Sequence, residues 1–548
     1  MTTTPKPKHP KGLFVLFFTE MWERFGYYLM LGILLLYLTD TAKGGMGLGR
    51  AEASDIVGTY LGLVYLTPFL GGLLADRVLG YRKSILIGAV LMSVGYFGLA
   101  VPDMTFFWGS VLLLVIGNGF FKPNISTLLG NLYSSDEQKP LKDAGYSIFY
   151  MGINVGAFVC NFVAAYMRNE YGWGYAFGAA GVGMLIGTAW FLIGTRHIRE
   201  ADIRKPANPE DMPVSKVMYT VFLPMLVFGA LGWFIPGNVF GSDSTDAFLV
   251  ACIPVISFFL FLLSRSNPQD KGRVAALLSI FAVVIVFWAV FKQNSSALTT
   301  WAETYTDRQI PESAAPVMKP FGMLQEVTTR QDSFPKYDKY FRAEKDASGK
   351  VITELSANPY FKNLPKDQWP ESEEKGLTLI STEIFQSVNP FFIIILTPVV
   401  ISFFSFLRRR NAEPSTPAKI GWGLLITGFS TLVMAAAVLS TDIATDKASA
   451  WWLIGSYAIV TIGELFLSPI GLSLVSKVSP QRITSLMMGG WFLATSIGNK
   501  LSGVLASMWD SYDNKTNFFL VNFAICMVAG GVIFAMLKWL RGIITQHT

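Results

Sequence analysis

Fourteen stretches of this 548-residue chain are apolar over lengths that cross a bilayer, and few folds accommodate that. A helix needs about 20 residues to span the hydrocarbon core. At that depth every backbone polar group must be satisfied within the protein, which leaves helices or a closed barrel. Unbroken apolar runs of this length are helices. The first covers 12–40, the seventh 216–236, the eighth 245–264, the ninth 273–302, the tenth 377–407 and the last 516–540. The chain is therefore expected to be an all-α polytopic membrane protein. Only 15% of its residues are charged, against about 25% in soluble domains.

The charges are sorted by side. Arg82, Lys83, Arg196, Arg199, Arg204, Lys205, Arg265, Lys271, Arg408 to Arg410, Lys477, Arg482 and Lys538 fall on one face of this topology, with the basic N-terminus. Asp103, Asp442, Asp446 and Asp510 fall on the other. The positive-inside rule then puts both termini in the cytoplasm. The N-terminus runs into the first span without a small-residue cleavage site, so that span reads as an anchor and not a cleaved signal. The net charge of +6 is dispersed between spans and is no nucleic-acid footprint. Cys160, Cys252 and Cys526 lie in apolar stretches, offering neither a disulfide framework nor metal-ligand spacing.

Setting spans seven and eight aside leaves six helices, a basic connection, and six more. The expected organisation is an N-terminal half over 12–195, a connection with two extra helices over 196–272, and a C-terminal half over 273–540. Two such halves enclose a site near the midplane. Residues 304–375 are polar and charged and interrupt the second half as an extracytoplasmic insert, either a small folded cap or a partly ordered loop.

Three ionisable residues sit within the first span: Glu20, Glu23 and Arg24, in the string Glu20-Met-Trp-Glu-Arg-Phe-Gly-Tyr-Tyr28. Ions at bilayer depth are costly and mark functional cavities or relays. Glu20 and Arg24 are four apart and share a helix face, as do Arg24 and Tyr28. Glu20 and Glu23 are neighbouring like charges, so one is easily protonated, whereas Arg24 is a fixed cation. The plainer reading is a structural ion cluster, although buried pairs seldom gain net stability. His9, His197 and His547 all lie outside the mid-membrane region, so proton carriers should be carboxylates, with Glu464 the other main one.

Between spans two and three, Gly71-Gly72-Leu-Leu-Ala-Asp76-Arg77-Val-Leu-Gly80-Tyr-Arg82-Lys83 resembles the cytoplasmic loop motif of the major facilitator superfamily. Its small residues let helices approach, and Asp76 can pair with a base or cap a helix. The opening cluster then resembles the ExxER motif of the proton-dependent oligopeptide transporter family. Gly119-Phe-Phe-Lys122-Pro-Asn124, Phe149-Tyr150-x-x-x-Asn154, Phe385-Gln-Ser-Val-Asn389-Pro390, Gly463-Glu464-Leu-x-x-Ser468-Pro469 and Trp491-Phe492 agree with it in order. The resemblance implies a major facilitator fold with two extra helices, as in bacterial members. It implies a symporter importing di- and tripeptides with protons, not an enzyme, acting by alternating access as a monomer in a bacterial cytoplasmic membrane.

It also implies roles. Glu20, Glu23, Arg24 and Glu464 would couple protons. Arg24, Tyr27, Tyr28, Tyr65, Lys122, Asn154, Lys292, Asn389, Glu464, Ser468 and Trp491 would bind substrate, and Lys122 with Glu464 would form a cytoplasmic gate. Residue chemistry supports a peptide site independently: Lys122 and Arg24 suit a carboxylate, Glu464 an ammonium, and Asn154 and Asn389 an amide. Gly72, Asp76, Arg77, Gly80 and Arg82 would form the loop motif. No metal or cofactor is implied beyond the proton.

Two positions depart from the family. Leu31 stands where many members have Arg, and Lys292 where they have an acid, a pair that serves as an outer gate. The outer side must close by other means. Lys292 is left to titrate, to pair with Glu383, or to meet a substrate carboxylate. The extra positive charge also keeps open a relative that carries nitrate or a modified amino acid. A peptide sensor is a further class, though no signalling domain is evident. A membrane enzyme lacks a nucleophile–base pair or a metal set.

Overall fold

The computed structural model describes residues 8–203, 213–347, 349–480 and 483–545. Arg204, Lys205, Arg482, His547 and the first seven residues lie outside that set, and the Ser468 side chain is likewise outside it. Fourteen principal helices of 11 residues or more are present among the described residues. They are α1 (Gly12–Thr39), α2 (Arg50–Leu74), α3 (Tyr81–Leu99), α4 (Met104–Leu132), α5 (Lys142–Tyr171), α6 (Trp173–Gly194), α7 (Leu223–Trp233), α8 (Asp243–Ser264), α9 (Pro268–Phe291), α10 (Val388–Arg409), α11 (Thr416–Ser440), α12 (Ala450–Val478), α13 (Thr484–Ser507) and α14 (Lys515–Ala535). Eleven helical segments among the described residues are long and apolar enough to cross a membrane. α1 is not one of them, because its own charged cluster lowers its hydropathy. Helix starts are chemically marked: Asp103 accepts from the amides of Thr105 and Phe106, and Asn514 from that of Thr516, satisfying donors that the first turn leaves orphaned.

The apolar interior divides in two. One cluster draws on residues from Leu13 to Ala201, the other on residues from Val221 to Ile544. These are the cores of two six-helix halves, with α7 and α8 packed as a hairpin beside α2 and α13. Two expected spans need correction. The seventh runs from an α-helical turn, Val214–Val217, through a π-helical turn, Met218–Phe222, and ends at Trp233. The tenth does not begin at 377: Leu377–Ile380 is a strand, and the α-helix starts only at Val388, after a 3-10 turn over Thr382–Ser387. The polar residues Ser381, Thr382 and Glu383 mark this boundary, but apolar residues on both sides of them make the strand read as the first turns of the helix.

The insert is a folded cap, which resolves the alternative left by sequence, and it extends to Ser381. α9 continues through a 3-10 turn (Lys292–Ser295) and a short helix (Ala297–Thr304) into β1 (Thr306–Asp307). β2 (Leu324–Val327) then pairs antiparallel with β5 (Leu377–Ile380), and β3 (Asp332–Pro335) with β4 (Thr353–Ser356). Val327, Tyr360, Phe361, Leu364 and Leu379 give the cap a small core of its own. β1 runs parallel to β6 (Ala448–Ser449), which ties the cap to the start of α12.

In the loop motif, the close approach is made by Gly71 and not by Gly72. A Cβ at Gly71 would lie 1.9 Å from the Gly119 carbonyl oxygen, whereas one at Gly72 would make ordinary contact with Pro123. Asp76 accepts from the Tyr81 hydroxyl at 2.7 Å. The α3 N-terminus is capped instead by Asp202, which accepts from the amides of Tyr81 (2.9 Å) and Arg82 (3.3 Å). Gly80, at φ 81°, makes the turn between them, a conformation costly for other residues. α2 and α4 belong to one half, so the Gly71–Gly119 contact is part of that half's own packing. Gly71→Val is expected to reduce folded yield sharply and to lower the melting temperature by about 5 °C or more, read by fluorescence-detected gel filtration after heating.

Candidate functional site

The charged cluster is one network on the inner face of α1. Arg24 donates Nη2 to Glu23 Oε1 at 2.6 Å, and its Nε also reaches Glu23 Oε2. Glu20 Oε1 lies 3.4 Å from Arg24 Nε. All three side chains are buried, and Asn118 of α4 donates to Glu23 at 3.4 Å. The expected helical-face pairing of Glu20 with Arg24 is present, but Glu23 is the main counter-ion. Arg24 lies over the Tyr27 ring at 4.7 Å, an arrangement that favours a cation. Glu20 Oε2 has no hydrogen-bond partner among the described residues, leaving a free acceptor beside a fixed cation.

Lys122 of α4 points its ammonium over the Tyr65 ring at 3.9 Å, and Trp288 of α9 lies next to that ring at 6.4 Å. It remains within electrostatic reach of Glu20. Across the interface, Asn389 donates to Thr461 at 2.9 Å and to Glu464 Oε2 at 3.1 Å. Glu464 in turn lies within electrostatic reach of Lys292, Tyr28 and Tyr150. Tyr28, Tyr65, Lys122 and Glu464 are half-buried, so this polar surface keeps some access to solvent deep in the bundle. Tyr28 is within reach of Arg24, Tyr65 and Glu464, so a cation, an acid and the Asn389 amide gather around the aromatic residues between the halves, groups suited to the two ends and the middle of a zwitterionic peptide.

Several expected residues are placed differently. Lys122 and Glu464 form no ion pair here: one is engaged with Tyr65 and the other with Asn389. Asn154 donates to the Tyr150 carbonyl of its own helix at 2.9 Å. Trp491 is buried against Phe281, at 6.1 Å, in the core of the second half. Leu31 is core as well. Lys292 is buried beside Phe291 and does not pair with Glu383, because Glu383 is taken by Arg168 of α5 at 3.1 Å. The three cysteines are free and buried.

The side-chain bonds that tie the halves together gather on the cap side. Besides Arg168–Glu383, Asn161 donates to Ser387 at 3.0 Å and Asn169 to Ser381 at 2.8 Å, joining α5 to the segment before α10. Between α2 and α13, Lys500 reaches Asp55 at 2.6 Å and Thr59 at 2.7 Å, and Ser496 donates to the Gly62 carbonyl at 2.6 Å. Ser244 and Thr245 of α8 also bond to Asp55, so the extra hairpin shares this seam. The molecule is closed on the cap side. The sequence offered only a faint signal for these residues: lone charges and amides within apolar spans, without the partner's identity.

A family model described as the POT family matches residues 82–326 and 372–522, which leaves 327–371 of the cap between the two matched parts. A di-/tripeptide transporter of Lactococcus lactis subsp. lactis (strain IL1403) is 29% identical over 96% of this chain and 95% of its own. A transporter of Bacillus subtilis (strain 168), called uncharacterized transporter YclF, is 30% identical over 96% of this chain and 93% of its own. Among solved structures, a peptide transporter POT in complex with sulfate is 29% identical with a TM-score of 0.74, covering 99% of this chain and 98% of that one. A POT family transporter in complex with 5-aminolevulinic acid is 25% identical with a TM-score of 0.75, covering 98% of each chain.

Proposed function

The chain belongs to the POT family of membrane transporters, and from this premise we propose that it imports di- and tripeptides together with protons by alternating access. It is a multi-pass membrane transporter and not an enzyme. The observation that carries the finer reading is that Tyr28 lies within electrostatic reach of Arg24 and Tyr65 on its own half and of Glu464 on the other, with Lys122 held on Tyr65 and Asn389 on Glu464, beneath a seam closed on the cap side. The basic loops put the cap outside and both termini in the cytoplasm, so the structure corresponds to a state closed to the outside. Names of relatives support the substrate: di-/tripeptide transporter in one case, peptide transporter in another.

The cycle follows from the charges. A proton on the Glu20/Glu23 pair weakens its hold on Arg24. A peptide carboxylate then competes for Arg24 and Lys122, while the ammonium meets Glu464 and the peptide amide meets Asn389 or Asn154. Lys122 freed from Tyr65 can close on Glu464 in the opposite state, as a cytoplasmic gate; the two states differ in which pair is made. The transporter works as a monomer in a bacterial cytoplasmic membrane and needs no cofactor besides the proton.

The test is uptake of labelled dialanine into proteoliposomes under an imposed inward pH gradient. Accumulation is expected to require the gradient, and unlabelled di- and tripeptides should compete where nitrate and 5-aminolevulinic acid do not. Competition by nitrate or 5-aminolevulinic acid without competition by peptides would overturn the peptide assignment. Specific dialanine binding without counterflow would instead make the protein a sensor.

A further inference from the structure

Above the closed seam, between the cap and the helix ends, is a partly open cavity of about 140 Å³ lined by charged and aromatic side chains, room for about five waters at their liquid volume. Four cations line it, Lys43, Arg50, Arg168 and Arg308, against two carboxylates, Asp40 and Glu303. Most of its roof, Phe334, Tyr337, Phe341 and Tyr360, comes from the cap stretch that the family match skips.

Local bonds account for part of the charge. Asp40 is occupied by the amides of Ala42, Lys43 and Gly45 and by the Trp173 indole at 2.8 Å. Arg50 is held by Asp510 at 3.0 Å and by the Phe341 carbonyl. Three groups remain. Arg308 is buried, and while its Nη1 donates to the Ile380 carbonyl at 2.8 Å, its Nε has no acceptor among the described residues. Glu303 and Lys43 are exposed charges at the edge of the cavity, Glu303 within electrostatic reach of Arg308 and Lys43 within reach of Arg168. Desolvation, and then the Arg168 guanidinium, hold the Lys43 ammonium below its ordinary range, against the opposing pull of Asp40, Glu383 and Asp332. A buried guanidinium nitrogen left without an acceptor is costly, so this cavity is suited to a guest carrying a carboxylate, and the exposed Glu303 at its edge is placed to meet an ammonium.

Arg168 has a second role. Its pair with Glu383 bolts α5 of the first half to the second, and both side chains are almost fully buried. Yet neither Glu383 oxygen accepts an aligned hydrogen bond, so the bolt is a charge contact that a better-placed carboxylate can replace. Lys292 and Leu31 supply no such bolt.

We propose that the cavity beneath the cap captures the peptide's terminal carboxylate, and that this carboxylate opens the cap-side seam by displacing Glu383 from Arg168. The proposal rests on the peptide-transport reading. It assigns substrate triggering to Arg168 and Glu383, and ammonium recognition at the capture step to Glu303.

The test uses the full chain in proteoliposomes, with dialanine and its C-terminal amide offered from the cap side. Glu303→Gln, which breaks no bond in the fold, is expected to raise the dialanine KM about tenfold, the scale of one charge-assisted contact, with a much smaller change in maximal rate. Maleimide labelling of Ser387→Cys at the seam should be accelerated by dialanine and not by the amide. In Glu383→Gln it should be fast without peptide. If wild-type protein takes up no dialanine, the transport reading fails and this proposal with it. If wild-type uptake is intact but Glu303→Gln keeps the wild-type KM, or if labelling ignores dialanine, the capture site alone is overturned.

Discussion

Glu23→Gln is expected to collapse the dialanine gradient built by an imposed pH difference to a ratio of about one, while peptide-for-peptide counterflow continues. Glu23 is fully buried and supplies both short contacts to the Arg24 guanidinium. Glutamine keeps the shape and one acceptor oxygen but can neither carry the charge nor gain a proton. Arg24 is then left with Glu20 at 3.4 Å as its nearest counter-ion. Breaking a buried pair costs about 3–5 kcal/mol when nothing replaces the lost partner. Glu20, with one oxygen unengaged, is placed to offset part of that by moving closer. The protein should therefore fold, bind and exchange peptide, with its proton step disabled. Glu20→Gln should act in the same direction but more weakly, since its contact to Arg24 is longer and single. Undiminished accumulation in both variants would place proton coupling elsewhere in the molecule.

That prediction rests on residues legible in the sequence, because the cost of charge at bilayer depth is a local property. Glu20, Glu23 and Arg24 stood out from their apolar neighbours, and helical spacing put them on one face. The fourteen helices were legible for the same reason. The cap strands were not, being four residues or fewer in length, too short for alternation to declare itself. The cap-side bolt was not legible either. Glu383 was visible as a charge, but its partner comes from α5 of the other half, and no local pattern names a residue across an interface. The expected Lys122–Glu464 pair shows a further limit. Sequence names residues that can pair, not which pairs a given arrangement holds: here Lys122 lies on Tyr65 and Glu464 accepts from Asn389.

Gly58→Leu is expected to abolish transport, to below about 5% of the wild-type rate, without impairing folding. Gly58 of α2 and Gly503 of α13 meet backbone to backbone. A Cβ at Gly58 would lie 2.6 Å from Gly503 Cα and 3.1 Å from the Lys500 carbonyl, and a Cβ at Gly503 would lie 2.7 Å from Gly58 Cα. No flexible side chain is there to move aside, so the helices themselves must part. Parting them also breaks Lys500–Asp55 and Ser496 to Gly62, the bonds that close this seam. Unlike Gly71 and Gly119, these glycines lie on opposite halves, so in the proposed cycle their contact is made only while the cap side is closed. The leucine penalises one state of the cycle and leaves the other untouched. A penalty near 5.5 kcal/mol is enough to invert a 99:1 equilibrium, and several overlapping backbone contacts are of that order. Maleimide labelling of Ser387→Cys from the cap side should then be fast with or without dialanine, and dialanine should still bind. Gly58→Ala, with one methyl group, should slow transport and shift labelling only part of the way. A Gly58→Leu protein that transports normally would show that α2 and α13 do not part in the cycle. One that fails to fold, as expected for Gly71→Val, would show that their contact belongs to the scaffold and not to the gate.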